Sequence, residues 1–318
     1  MFLNVLLLIV GMVLLIKGAD FFVDGASKIA KAMKIPSLII GLTLVSMGTS
    51  APEAAVSISA AIKGLDQSSV GNIVGSNIFN TLFILGASAL FTPLLISKDM
   101  KKYDVPIMVG IYIVLILFSF VISPLEILWY EGLIMFTLFA GYITFLILRA
   151  KKNPPEVKEE VEQDNKSKKK EIIKSIIFAI LGLAGIVFGG TIVVDNAEII
   201  AKELGMSDWL VGLTILAVGT SLPELVTSIV AAIKKENDIA VGNVVGSNIF
   251  NVIGILGVSS MISPLGLTSA HMLDMIVMLV SGLIILVTSL FTNKIGKVQG
   301  IIIFLSYVAY LTFIIIRG

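Results

Sequence analysis

Two glutamates stand inside apolar segments of this chain, and each follows a proline in the same short motif. Glu53 ends the sequence GTSAPE, and Glu224 ends the sequence GTSLPE 171 residues further on. A carboxylate in hydrocarbon costs about 2.5–3.5 kcal/mol or more, so such a residue is a functional-site hypothesis by default. Two symmetric copies beside helix-breaking prolines indicate a cation site inside a transporter.

Both motifs belong to a longer internal repeat. The segment GLTLVSMGTSAPEAAVS begins at Gly41, and GLTILAVGTSLPELVTS begins at Gly212. Each is followed by a second shared segment, GNIVGSNIFN from Gly71 and GNVVGSNIFN from Gly242. The offset is 171 residues throughout, so the two copies align without a gap.

The residues around each glutamate form a set of oxygen ligands. Pro52 lacks a backbone N–H and clashes with the preceding turn, so the second apolar segment should kink or split there. On a continuing helix, Thr49, Glu53 and Ser57 share one face by their spacing of four. Carboxylate, hydroxyl and carbonyl oxygens suit hard cations such as Ca²⁺ or Na⁺. The second copy has Thr220, Glu224 and Ser228 at these positions.

The second shared segment predicts a polar stripe on the neighbouring helix. Asn72, Ser76 and Asn80 recur every four residues, and Gly71 with Gly75 forms a pair of small residues that permits close helix approach. We expect this helix to lie beside the broken one and to turn its amides and hydroxyls toward Glu53. The second copy has Asn243, Ser247 and Asn251, with Gly242 and Gly246.

Composition places the chain in a membrane. Of its 318 residues, 57% are hydrophobic and 14% charged, and the mean hydropathy is +1.02. A helix needs about 20 apolar residues to cross a bilayer. Ten segments qualify: 2–25, 36–62, 69–91, 104–122, 125–148, 174–196, 207–233, 239–262, 271–292 and 298–316.

One polar stretch, 149–174, separates two groups of five segments. Its charged, proline-containing composition cannot form a core, so we expect a flexible linker. With the N-terminus outside, the inner loops and this linker hold 19 of the 23 basic residues, which predicts a multi-pass cell-membrane protein with both termini outside and the linker cytoplasmic. Asp20, Asp24 and Asp195 fall toward segment ends, where we expect them to pair with loops.

Five spans per half is an odd number, so the second half must enter the membrane from the opposite side. We therefore predict an all-α integral membrane protein of ten transmembrane helices, in two inverted five-helix repeats whose second and seventh helices are broken. The expected domains are 1–148 for the first repeat, 149–174 for the linker and 175–318 for the second repeat.

Other classes of function find little support in the sequence. Cysteine is absent, which excludes thiolate metal ligation, and a net charge of +1 gives no footprint for nucleic acid. Neither a phosphate-binding loop nor a nucleophile–base pair occurs, so we expect no enzyme and no cofactor. The expected partners are ions and the lipid bilayer, and the sequence identifies no protein partner.

Electrostatics constrain the cargo of the predicted site. Two ionised carboxylates carry a charge of −2, which one Ca²⁺ neutralises and which several Na⁺ ions can neutralise in its place. Competition of this kind for shared ligands indicates an exchanger. A site that is empty and charged should cross the membrane poorly, which would prevent leak.

At these residues the chain resembles the cation/calcium exchanger superfamily, specifically the prokaryotic sodium/calcium exchangers. The doubled GTS-x-PE and GSNIFN motifs carry the resemblance, which covers both repeats and the plan of five plus five spans. It implies a secondary antiporter that binds one Ca²⁺ and about three Na⁺ in alternation, with two leading helices that slide to switch access.

The resemblance also implies a ligand set. Glu53 and Glu224 would bind Ca²⁺ with the backbone carbonyls of Thr49 and Thr220. The flanking Na⁺ positions would use Ser46, Ser50 and Ser76 on one side and Ala217, Ser221 and Ser247 on the other, with Asn80 and Asn251 lining the middle.

Asn251 departs from the family pattern. The archaeal member that typifies the family has an aspartate there, and potassium-dependent members also carry an acid. Asn251 therefore argues against K⁺ co-transport. The repeat motifs contain no histidine, unlike proton-coupled relatives, which favours Na⁺ coupling. Exchange of Ca²⁺ for H⁺ on the same scaffold remains the alternative, and an ion channel is a further one that the inverted repeat disfavours.

Overall fold

The computed structural model describes residues 2–152, 154, 165–205 and 217–317, with only the backbone of 165–170 and 217. The helices in the first half are α1 (Phe2–Met33), α2 (Ser37–Thr49), α3 (Ala51–Ile62), α4 (Asp66–Phe91), α5 (Met100–Ile122) and α6 (Trp129–Lys152). Those of the second half are α7 (Asn165–Glu203), α8 (Ala217–Gly219), α9 (Leu222–Ile233), α10 (Asn237–Ile262), α11 (Ser269–Phe291) and α12 (Lys297–Arg317).

The chain folds as an all-helical membrane protein. Within the described residues, eight helices are long and apolar enough to cross a membrane, and the pair α2–α3 makes a ninth span if its two parts are counted together. These two helices meet at an angle of 51°, at the position where Pro52 predicts a break. Of the expected segment 207–233, residues 207–216 lie outside the described part.

Helices α4 and α10 form the centre of the fold. They are the most buried of the long apolar helices, although they carry the polar GSNIFN segments. Their asparagines and serines are shielded from lipid by the surrounding helices, which can satisfy them with hydrogen bonds. Helices α1, α6 and α12 have mostly exposed apolar side chains, which suits a lipid-facing periphery.

Helices α1 and α7 lie against each other along much of their length. Glycines seven residues apart on α1 allow this contact, and a Cβ added at Gly18 would lie 2.6 Å from the backbone nitrogen of Ile186. A Cβ at Gly25 would lie 2.7 Å from the nitrogen of Ala179. Because backbone meets backbone at these points, the two helices form one tightly packed pair.

Two small sheets connect the halves of the chain. Strand β1 (Leu94–Leu95) pairs with β4 (Lys294–Ile295), and β2 (Glu126–Ile127) pairs with β3 (Leu265–Gly266), both antiparallel. Each sheet therefore takes one strand from either half and fixes the loops between the long helices.

The expectation of a flexible linker over 149–174 is wrong at both ends. Helix α6 continues to Lys152, and α7 begins at Asn165, while 153 and 155–164 lie outside the described residues. Arg149 is buried: its guanidinium donates to Asp104 at 2.9 and 3.0 Å and lies 3.2 Å from Asp99. Pairing with a buried carboxylate keeps this basic residue inside the helix bundle.

Candidate functional site

Each glutamate lies in the first turn of a helix that starts directly after a break. Ser50 separates α2 from α3 with φ −81° and ψ 9°, and Ser221 precedes α9 with φ −89° and ψ 6°. Glu53 and Glu224 follow within the first helical turn, and both are 0% exposed. The repeated GTS-x-PE sequence thus folds the same way twice and carries each carboxylate into the interior.

The two breaks face each other across the centre of the molecule. Ser50 Oγ donates a hydrogen bond of 2.8 Å to Glu224 Oε1, and Ser221 Oγ donates one of 2.8 Å to Glu53 Oε1. Each half therefore supplies the hydroxyl that holds the carboxylate of the other half. The serines and glutamates named by the sequence form one centre, which we call the crossed carboxylate site.

Threonines and asparagines support this site in a second reciprocal arrangement. Thr49 Oγ1 donates to Asn243 Oδ1 at 3.0 Å, and Thr220 Oγ1 donates to Asn72 Oδ1 at 3.4 Å. Each asparagine amide also donates to a serine of its own half at 2.9 Å, Ser57 or Ser228. The polar stripe predicted on the fourth-residue spacing is thus confirmed for Asn72 and Asn243, which tie the broken helices to α4 and α10.

The middle of the site contains four asparagines, and sequence reasoning identified only two of them. Asn80 Nδ2 donates to Asn248 Oδ1 at 3.2 Å, and Asn251 Nδ2 donates to Asn77 Oδ1 at 3.0 Å. Asn77 and Asn248 were missed because a spacing of four leaves them off the stripe. Wider π-helical turns begin at Phe79 and Phe250, which shift the helical phase next to these residues.

Four buried oxygens in this centre accept no hydrogen bond from any described residue. They are Oε2 of Glu53 and of Glu224 and Oδ1 of Asn80 and of Asn251. A buried acceptor without a partner costs about 1–3 kcal/mol, and more when it is charged. Their occurrence at matching positions of both halves is the feature expected of oxygens that bind a hard cation.

The remaining predicted ligands lie on the helices that form the site. Ser76 and Ser221 are 3.1 Å apart at their hydroxyl oxygens, and Ser247 donates to the carbonyl of Ser46 at 3.3 Å. Ala217 begins helix α8 directly before the second break. The described residues contain no group of three acidic or histidine side chains spaced for a metal, so a cation here would depend on neutral oxygens beside two carboxylates.

Among the described residues, a cavity reaches the site from one side. A cavity of about 750 Å³ reaches Pro52, Asn72, Ser76 and Thr220 and extends to Arg317 at the end of α12. On the opposite side α10 packs on α2: a Cβ at Gly246 would lie 2.7 Å from Leu42 Cα and from Ser46 Oγ. Gly75 is its counterpart in the first repeat, and a Cβ there would meet no described atom within 4 Å.

A sequence profile described as sodium/calcium exchanger protein matches residues 3–148 and 174–316, which is most of the chain. The chain belongs to this family. Its relatives include the sodium/calcium exchanger MaX1 of Methanosarcina acetivorans, 34% identical with 97% of each chain covered. A protein named putative antiporter CaxA from Alkalimonas amylolytica is 38% identical with 95% of each chain covered.

Solved structures support the assignment of the chain to this family. The sodium-calcium exchanger NCX_Mj, from crystals soaked with 10 mM Na⁺ and zero Ca²⁺, is 32% identical and superposes with a TM-score of 0.84 over 98% of each chain. The same protein soaked with 2.5 mM Na⁺ and 0.1 mM Ca²⁺ also gives a TM-score of 0.84, at 30% identity. The likeness therefore extends over almost the entire fold.

Proposed function

We propose that this family member is a secondary antiporter that exchanges Na⁺ for Ca²⁺ across the cell membrane by alternating access. The crossed carboxylate site carries the proposal, because each buried glutamate keeps one oxygen free while a serine of the other half holds its second oxygen. Two carboxylates match the charge of one Ca²⁺. The hydroxyl, amide and carbonyl oxygens around them allow Na⁺ ions to take its place.

The proposed ligand set is the one that the family resemblance implies, and the unpartnered oxygens support part of it. Ca²⁺ binds the free oxygens of Glu53 and Glu224 and the backbone carbonyls of Thr49 and Thr220. Asn80 and Asn251 each hold an unbonded amide oxygen near the middle, which supports a role as ligands there. The Na⁺ positions lie on either side, and their ligands are Ser46, Ser50, Ser76, Ala217, Ser221 and Ser247.

We further propose ten transmembrane spans in two inverted repeats, 1–148 and 175–318, joined by the cytoplasmic segment 149–174. The break, the glutamate and the polar helix recur at an offset of 171 residues, and both small sheets pair strands from opposite halves. The basic residues put both termini outside. The cavity reaches the C-terminal end of α12, so it opens to the outside in this state.

We expect potassium-dependent relatives to carry an acidic residue where this chain has Asn251. The amide at this position therefore supports Na⁺ as the counter-ion. The centre keeps two carboxylates, and an amide replaces the third acidic group. Asn251 Nδ2 donates to Asn77 Oδ1, so its position is held by the other half of the chain. A proton-coupled mechanism would require a glutamate of the crossed carboxylate site to carry the proton, and it remains the alternative that experiment should separate.

Flux measurements test the proposal. The protein in sealed liposomes loaded with Na⁺ should take up ⁴⁵Ca²⁺ when external Na⁺ is removed, at equal pH on both sides and with a protonophore present. A pH gradient or a K⁺ gradient alone should drive no uptake. Uptake that needs no counter-ion inside the vesicle would indicate a channel, and uptake that follows the pH gradient would indicate proton exchange.

Conservative variants connect the flux to the site. Glu53→Gln and Glu224→Gln should each abolish Ca²⁺ uptake, because the divalent ion loses half of its neutralising charge. Glu131→Gln is the matched control: this glutamate is equally buried and its Oε2 accepts from the backbone N–H of Leu128, but it lies at the start of α6, outside the crossed carboxylate site. Near-normal uptake by either of the first two variants would contradict the ligand assignment.

A further inference from the structure

A lysine at the end of α9 ties that helix to α1. Lys234 Nζ lies 2.6 Å from Asp20 Oδ1 and 2.5 Å from Asp24 Oδ1, and it also donates to the carbonyl of Asp20 at 2.9 Å. Three oxygens of α1 thus surround one ammonium group. We call this cluster the inner latch, because the proposed orientation places it on the cytoplasmic side.

The repeat contains a second copy of this pair of residues. Lys63 corresponds to Lys234 and Asp195 corresponds to Asp24, each at the offset of 171. Each lysine directly follows the last residue of its helix, with similar backbone angles of φ −86°, ψ 0° and φ −74°, ψ −1°. Each aspartate lies on a member of the tightly packed α1–α7 pair.

The second copy is open in this structure. Lys63 is exposed, and Asp195 lines the large cavity, which separates α7 from Pro52 and Val56 of α3. On the inner side the corresponding helices α1 and α9 are in contact and closed by the inner latch. The lysine and the aspartate therefore form an ion pair in one copy, Lys234 with Asp24, and stand apart in the other copy, Lys63 and Asp195.

We propose that Lys63 and Asp195 form an ion pair, the outer latch, which closes the extracellular side when the inner latch opens. The inference rests on the proposed alternating access. Helices α1 and α7 are joined through backbone contacts such as that at Gly18, so they move together. A movement that brings Asp195 toward α3 carries Asp24 away from α9. In an inverted repeat, each half then takes over the contact that the other has lost.

The two latches are unequal. Asp20 on the inner side corresponds to Thr191 on the outer side. Glu236 accepts a hydrogen bond from Ser27 Oγ at 2.6 Å on the inner side, and its outer counterpart is Leu65. The outer latch thus has one ion pair where the inner side has two carboxylates on Lys234 and a further polar contact. An exposed ion pair changes an equilibrium by a factor of about 1.4 to 5. The ion-free protein should therefore favour the state that is open to the outside.

Cross-linking detects the outer latch directly, and the chain has no native cysteine to interfere. Lys63→Cys with Asp195→Cys in proteoliposomes should be joined during turnover by a short bifunctional methanethiosulfonate reagent, whose spacer replaces the length of the lysine side chain. The cross-link should stop ⁴⁵Ca²⁺ exchange, and a reductant should restore it. Absence of the cross-link in a variant that still exchanges would overturn the proposal, and so would continued exchange by the cross-linked protein.

The rate of this cross-link also measures how often the outer side closes. Adding Lys234→Gln to the double-cysteine variant opens the inner latch and should raise the rate by about 2- to 25-fold, since it removes two ion pairs. Lys235→Gln, at the next residue, is the matched control and should leave the rate unchanged. Equal rates for the two variants would contradict the coupling of the latches.

A charge exchange covers the case in which the cysteine variant does not fold. Lys63→Glu should slow exchange several-fold, and Lys63→Glu with Asp195→Lys should recover it; failure to recover would refute the pair. These outcomes are separate from the proposed function itself. If an imposed Na⁺ gradient drives no Ca²⁺ uptake by the unmodified protein, the proposal of Na⁺/Ca²⁺ exchange is refuted, whatever the cross-link shows.

Discussion

Replacing Asn248 with leucine tests whether the asparagines of one half position the ligands of the other. Asn248 is fully buried, accepts from Asn80 Nδ2 at 3.2 Å and donates to Thr81 Oγ1 at 2.8 Å. Leucine has a similar size and no polar atom, so the change removes both bonds and the weak contact of Asn248 Nδ2 with Met108 Sδ at 3.6 Å, with little loss of packing. Thr81 keeps its own donation to the carbonyl of Asn77 at 2.8 Å.

The expected loss of stability can be estimated from these contacts. Hydrogen bonds between membrane helices average about 0.6 kcal/mol, so two contribute about 1.2 kcal/mol. The amide of Asn80 is then left buried without an acceptor, at a further cost of about 1–3 kcal/mol. The free energy of unfolding should therefore fall by about 2–4 kcal/mol.

Ion binding should weaken as well. Once released, Asn80 can turn its N–H₂ group toward the site in place of Oδ1, which puts a donor where a cation needs an acceptor. Holding the amide in its original orientation would then cost about one hydrogen bond. That cost is about 0.6 kcal/mol, and about 1.4 kcal/mol corresponds to a factor of ten, so we expect the apparent affinity for Na⁺ or Ca²⁺ to fall by about threefold.

Thermal unfolding of the purified protein and the Na⁺ and Ca²⁺ dependence of flux measure the two effects. Asn196→Leu is the control, because Asn196 is also buried and its amide donates within its own helix, to the carbonyl of Ile192 at 2.7 Å, with no other described partner. It should change ion affinity very little. If Asn248→Leu loses stability but keeps wild-type affinity for both ions, Asn80 is not a ligand and the argument fails.

Three further variants test other parts of the structure. Arg149→Leu leaves the buried carboxylate of Asp104 without its ion pair and should cost about 3–5 kcal/mol in a thermal unfolding assay, with recovery in the double variant Arg149→Leu/Asp104→Leu; no recovery would contradict the buried pair. Asn251→Asp places an acceptor 3.0 Å from Asn77 Oδ1, where Asn251 now donates, so flux and the preference between Na⁺ and Ca²⁺ should change; identical selectivity would remove position 251 from the ion path. Gly246→Ala should lower the unfolding midpoint because its Cβ would lie 2.7 Å from Leu42 Cα, whereas Gly75→Ala should not; equal effects would argue against the one-sided packing.

The positions of the carboxylates could be predicted because their surroundings are local in sequence. Pro52 and Pro223 interrupt the helix wherever the chain places them, and each glutamate follows directly. The exact repeat then requires the second site to resemble the first. The break, the burial and the opposing serines follow from these few residues together with the hydrophobic character of the flanking segments.

Contacts that depend on helical phase or on distant partners were harder to predict. The spacing of four that selects Asn72, Ser76 and Asn80 assumes a regular α-helix, and the π-helical turn at Phe79 breaks that assumption where Asn77 enters the site. Arg149 looked like part of a polar linker because its partner Asp104 is 45 residues away in the sequence. Composition carries no information about such a pairing.

Which side of the site is open could not be deduced from two repeats that are nearly identical. Gly75 and Gly246 have the same neighbours in sequence, yet a Cβ on the first would meet no described atom within 4 Å and a Cβ on the second would meet the α2 backbone at 2.7 Å. Among the described residues, the same segment is therefore packed in the second half and faces the cavity in the first half. Because the two halves differ in this way, the packing of the second half shows how the first half would pack in the opposite state. By this reasoning, α4 should close through Gly75 on α8, the counterpart of the end of α2, when the cavity shuts, in the way that α10 now closes on α2.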